Sequence, residues 1–568
     1  MQQTCRQCSV SFEITPDDLQ FYDQISPVFQ GKKEPIPPPT TCPECRFRER
    51  LIWRAELHLF QRKSAFSGKP MLSYFPPEAP QKVVTVEEWH GDTWQGLDAG
   101  RPFDFSRPFF AQFEELSRAV PLPAVSVDYS ENCDYVNSAS WNKNCYLIAG
   151  ANHNEDCYYG NFVNDCRSCV DCSFLDRSEL CYECVDCTKC YDVRYSQNCS
   201  NCTESSFLYA CRNCSNCFGS VNIAGKQFVF FNEQLTKQEY ERKLKDVGLH
   251  QRSRIEEAKN FFEKHRLKFP HRFMIGEMNE DVTGNGILRS RRAHNCFDVS
   301  DLEDCRNCGW LHQAKNCHDC YAWGFTAEES YRCMEVGAGS YHVLFSLMTY
   351  NGADVLYSWN CRLGCKNVFG CVSLKHNQYC ILNKQYTKEE YEELVPKIIE
   401  HMRRTPLRSP NGSSAGQEWG EFFPFAVCPL AYNQTIAQDY FPLTKAQATM
   451  LGARWKDEEP MPQRQDLAVP PDSIEEVQDD VCGQTFRCES TGKPFKIIPQ
   501  ELRFLRERGI PLPAKSFTAR HRNRFLQRNP RKLWNRACAK CQKPIATSYS
   551  PERPEIVYCE ECFLKEVY

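Results

Sequence analysis

The chain closes with Cys538-x2-Cys541-x17-Cys559-x2-Cys562 and opens with Cys5-x2-Cys8-x33-Cys42-x2-Cys45. Paired CxxC knuckles at such separations place four thiolates around one tetrahedral zinc, with arms of about 2.3 Å. Four protein ligands leave no open position, so the expected role is structural rather than catalytic. About two zinc ions per chain follow. A third set of thiols is denser. All fifteen cysteines from Cys133 to Cys217 fall in one register of three. Among them Cys169, Cys172, Cys184 and Cys187 have the numbers for a metal site shared by two coils. A ladder of buried thiols is the preferred reading, since Cys is small, apolar and commonly buried. A ferredoxin-type run would need CxxCxxCxxxCP, whereas Cys181–Cys190 is CxxCxxCxxC followed by Tyr191. Disulfides are disfavoured in a reducing compartment.

Arginine supplies the second chemistry. Arg46, Arg50 and Arg54 follow the N-terminal knuckle at spacing four, a single stripe on a helix. Arg520, Arg524 and Arg528 repeat it near the other end. Residues 487–543 hold 16 Lys and Arg against 3 Glu. Such a patch can neutralise phosphates of RNA or DNA. It can equally meet a protein partner, or the chain's own acidic coil, since residues 127–224 carry 13 acids and 6 bases. Histidine offers less: His318, in CHDC, reads better as a corner residue than as a ligand. No Gly-rich phosphate loop, HExxH or GxSxG occurs, and the CxxC pairs lack a thioredoxin-like βαβ setting. No catalytic residue is assigned, and a non-enzymatic protein is expected.

The elements that position these groups are repetitive. From Cys157 the sequence reads as fifteen-residue turns, with Cys at the first position each time and Asp or Asn at the last. A second array, Cys296, Cys305, Cys308, Cys317 and Cys320, has period twelve. Short fixed periods mean stacked turns. Residues three apart cannot share a face of a straight strand, and the Asn, Asp, Ser and Gly content suits corners rather than helix. FGSVNIAGKQFVFFNEQLTKQEYE from Phe218 and FGCVSLKHNQYCILNKQYTKEEYE from Phe369 match without gaps at an offset of 151. Each closes with a capping box, Thr236…Glu239 and Thr387…Glu390, which predicts a helix start. The chain ends are also duplicated. CRQCSVSFEITPDDLQF from Cys5 matches CESTGKPFKIIPQELRF from Cys488, and 42–88 matches 516–562. The N-terminal copy has Ser64, Ser67, Thr85 and Glu88 where a second metal site would lie. The C-terminal copy has Cys488, Thr491, Ser516 and Ala519 where the first would lie. One zinc per module is therefore expected, with the two modules packed against each other.

CRQCSVSFEITPDDLQFYD…TTCPECRFRER resembles a small zinc-ribbon family marked by CxxC, an F-x-[IF]-T stretch, an F-Y pair and a closing CPxCRxxR. The resemblance covers about 50 of 568 residues. It implies Cys5, Cys8, Cys42 and Cys45 as ligands and a nucleic-acid or protein contact role. The whole chain also resembles large, uncharacterised Cys-repeat proteins of bacteria, which imply no activity.

The expected fold is mainly β with α. Two Cys-rich, β-helix-like short-coil solenoid arrays, each followed by a helix, are flanked by duplicated zinc-ribbon or treble-clef-like modules. The divisions are 1–124 for the N-terminal module with an aromatic-rich extension, then 125–268 and 269–404 for the two coils with their helices. Residues 405–480 form a linker with a small compact segment, SPNGSSAG (409–416) and 457–480 being its looser parts, and 481–568 form the C-terminal module. Net charge is −4, so any nucleic-acid surface must be local. MQQTCRQC lacks a secretory pattern and no apolar run reaches about 18 residues, so a cytoplasmic protein without a membrane partner is expected. The function expected is a zinc-binding scaffold contacting RNA or DNA through the arginine stripes. The alternatives are a thiol-rich metal-binding or redox-sensing protein using the coils, and a protein–protein interaction scaffold.

Overall fold

Every third residue from Tyr129 to Phe231 has a positive φ, and only three of them, Gly150, Gly219 and Gly225, are glycines. A non-glycine residue in that region costs about 1–2 kcal/mol, so a run of them needs compensation. Hydrogen bonds between turns supply it. In the computed structural model, which describes residues 1–337, 339–407, 416–458 and 467–567, Asn137 pairs in parallel with Ala149, Ala149 with Asn161, Asn161 with Ser173 and Ser173 with Val185. Each step is twelve residues, so a turn has four sides of three. The first residue of each side faces inward, the second pairs, and the third makes the left-handed corner. The second residue's N–H reaches the turn ahead (Tyr158 N to Cys169 O, 3.0 Å) and the third's reaches the turn behind (Asp171 N to Tyr158 O, 3.0 Å).

On many sides the first residue's N–H lacks such a backbone partner and is met instead by the inward side chain one turn earlier. Cys190 N donates to Ser178 Oγ at 3.0 Å, Cys217 N to Ser205 Oγ at 3.0 Å, Cys166 N to Asn154 Oδ1 at 3.0 Å, and Ser178 N to Cys166 Sγ at 3.4 Å. The thiols in turn donate to inward carbonyls, as Cys166 Sγ does to Asn164 O at 3.1 Å and Cys184 Sγ to Val193 O at 3.1 Å. Cys, Ser and Asn thus line the coil because small side chains that both accept and donate satisfy an amide buried by the geometry itself.

The fifteen-residue turn read from the sequence is corrected by this register. Fifteen is one turn plus one side, and any multiple of three keeps cysteines in the inward phase. Stacked neighbours are twelve apart, so Cys169 lies over Cys181 and Cys172 over Cys184. The Asp or Asn before each cysteine does stand at a corner, as at Asp156, Asp165 and Asp171. The second array obeys the same rule with occasional thirteen-residue turns, such as Cys317 to Ser330 and Val355 to Val368.

Strand outweighs helix, 31% to 24%, in a mixed α/β chain whose two largest sheets, of six and eleven strands, are dominated by parallel pairs. No sheet among the described residues closes into a barrel. Each array ends in an antiparallel hairpin, Val229–Phe230 with Glu233–Gln234 and Gln378–Ile381 with Lys384–Gln385. Helices Lys237–Val247 and Lys388–Arg404 follow, each started by the expected capping box. Gly248, left-handed at φ 71°, ends the first of them, and Arg252–Arg266 resumes. Among the described residues no helix is long and apolar enough to cross a membrane.

Of the two expected linkers, 409–415 and 459–466 lie outside the described residues. Residues 467–480 are packed: Ile474, Val477 and Val481's cluster includes Tyr159, Tyr182, Phe486 and Leu505. The segment 416–458 adds Trp419, Phe423 and Tyr432 to an aromatic core shared with the N-terminal module and the second coil.

Ser178→Ala should remove the acceptor for Cys190 N–H and cost about 1–3 kcal/mol in urea unfolding. Ser178→Cys, which keeps an acceptor, should cost less; equal stability of the alanine variant and wild type would contradict the inward-acceptor rule. Burial also holds His271, His312 and His318 neutral, each brought down to about 4. For a base whose folded pKa is depressed, the unfolded state binds more protons between about 4 and 6.5, so stability is full above about 6.5 and falls as pH drops through that window. The slope measured there should flatten in His312→Gln.

Candidate metal centres and module interfaces

Four hairpins carry four knuckles: Gln2–Thr4 with Ser11–Glu13, Phe60–Lys63 with Pro70–Ser73, Phe486–Arg487 with Pro494–Phe495, and Trp534–Ala537 with Pro544–Thr547. Their turns are the same. Cys5, Ser64, Cys488 and Cys538 each donate their N–H to the carbonyl five residues on, all at 2.9 Å. Each accepts, at 2.8–3.0 Å, from the residue four on, and that residue, Ser9, Gly68, Gly492 or Gln542, has φ between 61° and 69°. The duplication of the chain ends is therefore visible in backbone geometry at all four places.

Two of the four complete a thiol group. The sulfurs of Cys5, Cys8, Cys42 and Cys45 lie within 4.8 Å of one another, as do those of Cys538, Cys541, Cys559 and Cys562. Cys8 Sγ and Cys42 Sγ are 3.6 Å apart, and Cys541 Sγ and Cys559 Sγ 3.7 Å. A tetrahedron with arms of about 2.3 Å has edges of about 3.8 Å, so each group has the size for one such ion. Backbone N–H groups point at the first sulfur of each, Cys42 N to Cys5 Sγ and Cys559 N to Cys538 Sγ, both at 3.2 Å. Although burial opposes it, the N–H groups of Cys541, Cys559 and Lys540 bring the Cys538 thiol down to about 6. The second knuckle of each group starts a helix, Pro43–Leu51 or Glu560–Val567, whose N-terminal dipole favours thiolate. Both centres can hold a metal ion with four protein ligands.

At the other two knuckles hydrogen bonds stand where a complete thiol group would lie. Ser64 Oγ donates to the Glu88 carboxylate, which also accepts Thr85 N–H at 3.0 Å, while Glu88 N–H returns to Thr85 Oγ1 at 3.2 Å. Burial notwithstanding, Ser64, Ser67 and Thr85 hold the Glu88 carboxyl at about 2. In the C-terminal copy Ser516 N still donates to Cys488 Sγ at 3.3 Å, the counterpart of Cys42 N to Cys5 Sγ. Cys488 also meets Ser490 Oγ at 3.5 Å, and Ala519 brings no ligand.

The arginine stripes face inward. Arg46, Arg50, Arg54, Arg520 and Arg524 are 0–6% exposed. Arg46 Nε and Arg50 Nη1 share Asp319 at 2.9 and 3.5 Å, and Arg54 meets Glu335 and Glu56. Arg520 and Arg524 share Asp171 at 3.0 and 2.8 Å, and Arg528 meets Asp186 at 2.9 Å and Asp298. Even the neutral contacts repeat: Arg50 Nη2 donates to Asn307 O and Arg524 Nη2 to Tyr159 O, each at 3.3 Å. Asp171, Asp186, Asp319 and Glu335 are all left-handed corners. The RNA or DNA contact expected of these six arginines thus finds no support: their guanidinium groups are removed from solvent and matched by the chain's own carboxylates. The N-terminal module docks on the second coil and the C-terminal module on the first. The modules also touch, with Lys532 Nζ 3.0 Å from Glu44 and Arg531 over the Phe47 ring. Sequence reasoning saw the acidic coil as one partner for the arginines but singled out none of its carboxylates. Their signal was the acidic or amide residue at many corners, which does not say which corners a helix will cover.

Cys169, Cys172, Cys184 and Cys187 are buried in the first coil. Among the described residues, only the two end groups bring three or more metal-ligand atoms mutually within 4.8 Å. His318 is not the corner residue expected: it is the pairing residue just before the corner Asp319, and it packs there, stacked on Phe21 at 3.6 Å between ring centres and 3.9 Å from Asp18.

No protein-family model matches the chain, and no curated protein matches it. The family resemblance read at the N-terminus rests on the cysteine centre alone, which fits a zinc-ribbon-like site.

Asp171→Ala should leave two buried guanidinium groups without their shared carboxylate and cost about 3–5 kcal/mol in chemical denaturation. Asp165→Ala, at an exposed corner of the same coil, should stay within about 0.5 kcal/mol of wild type.

Proposed function

We propose that the protein is a non-enzymatic scaffold in which two solenoid coils of twelve-residue turns are locked by two zinc-ribbon-like modules, each built around one structural zinc. The observation that carries this is the continuity from metal to coil. Cys42 and Cys45 open the helix whose next residue is Arg46, and Arg46 and Arg50 enter the second coil at Asp319. All-thiolate tetrahedral sites suit zinc, and the closed ligand sets support a structural role. The buried arginines favour a protein partner, or none, over RNA or DNA. The free coil thiols fit a reducing, cytoplasmic setting. They also keep a thiol-rich metal-binding or redox-sensing role as the second reading, but their S–H groups are engaged by inward carbonyls, which favours the buried ladder.

Metal analysis of purified protein tests the choice. About two zinc per chain are expected, falling to about one in Cys45→Ser and in Cys541→Ser. Four or more ions, or iron with visible absorbance, would move the assignment to the coils. Titration with RNA and with duplex DNA at about 0.15 M salt should show no specific binding; tight, salt-dependent association would restore the nucleic-acid reading.

A further inference from the structure

The two halves correspond along one column of left-handed corners. In the first coil it runs Tyr159, Asp171, Glu183, Tyr195, Phe207; in the second, Asn307, Asp319, Arg332, Phe345, Tyr357. The shared arginine contacts at Asp171 and Asp319 fix the match. In the second half, the chain itself fills the face beside this column. Trp419 packs against Phe345 and Tyr357, with ring centres 6.3 and 5.9 Å away. Gly420 N–H donates to Tyr357 Oη at 2.8 Å, and a Cβ there would meet Pro37 at 2.5 Å, so a side chain cannot pass. Glu421 accepts from Thr40 Oγ1 at 2.6 Å and is held by Arg332 at 3.3 Å and Arg6 at 4.0 Å.

In the first half the equivalent walls enclose a chamber of about 540 Å³ that no segment among the described residues crosses. Tyr195 and Phe207 stand for Phe345 and Tyr357, and Pro511 for Pro37. Glu489 and Ala514 stand for Arg6 and Thr40, as their shared backbone bond shows: Arg6 N to Thr40 O at 3.0 Å, Glu489 N to Ala514 O at 2.9 Å. All of them line the chamber. The volume lies in the range of about 300–1,000 Å³ usual for ligand pockets. The helix Arg252–Arg266 roofs it, and Lys259 reaches Glu183 at 3.0 Å. Arg266 Nε is buried there without a hydrogen-bond partner.

Two charges are inverted between the copies, while the arginines on Asp171 and Asp319 keep their sign. Arg332 and Arg6, which hold Glu421, become Glu183 and Glu489. We propose that this chamber binds an extended peptide segment of a partner protein carrying an aromatic residue, a glycine and a basic residue in succession. The aromatic ring lies on Tyr195 and Phe207, the glycine passes Pro511, and the cation meets Glu183 and Glu489. This rests on the scaffold reading and names the chemistry of its partner.

The probes are two fluorescein-labelled peptides titrated into the full-length, zinc-loaded protein: GQEWGEFFP, the chain's own 416–424, and the same peptide with Lys at the position of Glu421. The lysine peptide should bind at least tenfold more tightly. Glu183→Arg with Glu489→Arg should abolish or reverse that preference, and Glu489→Arg alone, at an exposed position, should weaken it if the double variant fails to fold. Ala514→Trp, which fills the chamber from its wall, should reduce binding of the lysine peptide tenfold or more at unchanged zinc content. Binding of neither peptide, equal binding of both, or lysine-peptide binding that survives Ala514→Trp would overturn the proposal. Two zinc per chain with no peptide binding would sink this inference alone, whereas an altered metal count would sink the scaffold reading beneath it.

Discussion

Asp171 and Asp319 each hold two buried guanidinium groups, and the placement of both end modules depends on them. A buried carboxylate between two arginines is expensive to desolvate and is stable only when geometry and further hydrogen bonds are good. That demand is what makes the contact specific. A helix displaced by one residue would present different side chains to the corner and strand its charge. Because the N-terminal module engages the second coil and the C-terminal module the first, these contacts cross, and the two ends of the chain tie the two halves together. Arg528, shared between Asp186 of the first coil and Asp298 of the second, spans both directly.

The coil makes this possible by what it does with its amides. Four three-residue sides leave one N–H per side facing inward, and the chain answers with Ser, Asn and Cys stacked at intervals of twelve. The same corner geometry that buries this amide also turns a side chain outward every third residue. Those side chains are the docking surface: acids where arginines arrive, aromatics where the helix Lys388–Arg404 and the Trp419 segment pack. A dense run of cysteines therefore serves the interior, and the chemistry between modules falls to the residues beside them.

The thiol groups act one step further out. The four knuckles share a turn, but two carry a complete thiol group and two carry Ser64–Glu88–Thr85 or the Cys488 cluster in its place. A hydrogen-bonded carboxylate can hold a knuckle to a helix N-terminus much as a metal does, since both satisfy the same exposed N–H groups. Each module retains one complete thiol group. In the N-terminal module it lies on the helix that carries the arginines; in the C-terminal module it lies beside Pro270–Arg272, where strand Ile556–Tyr558 joins the start of the second coil.

Much of this was legible without coordinates. Ligand spacing alone marked both thiol groups, because CxxC is a local geometry that any fold must respect. Capping boxes marked both helix starts, and self-comparison exposed the duplications, including the complementary loss of ligands. Other features were decided only by tertiary structure. The turn length was ambiguous because every multiple of three preserves the inward phase, and only pairing between strands separates twelve from fifteen. The direction of the arginine stripes was undecided because a charged helix face looks the same in sequence whether water or a carboxylate covers it. Asp319 lies 273 residues from Arg46, and no local pattern connects them; the ion pair exists only once both the coil and the module have formed.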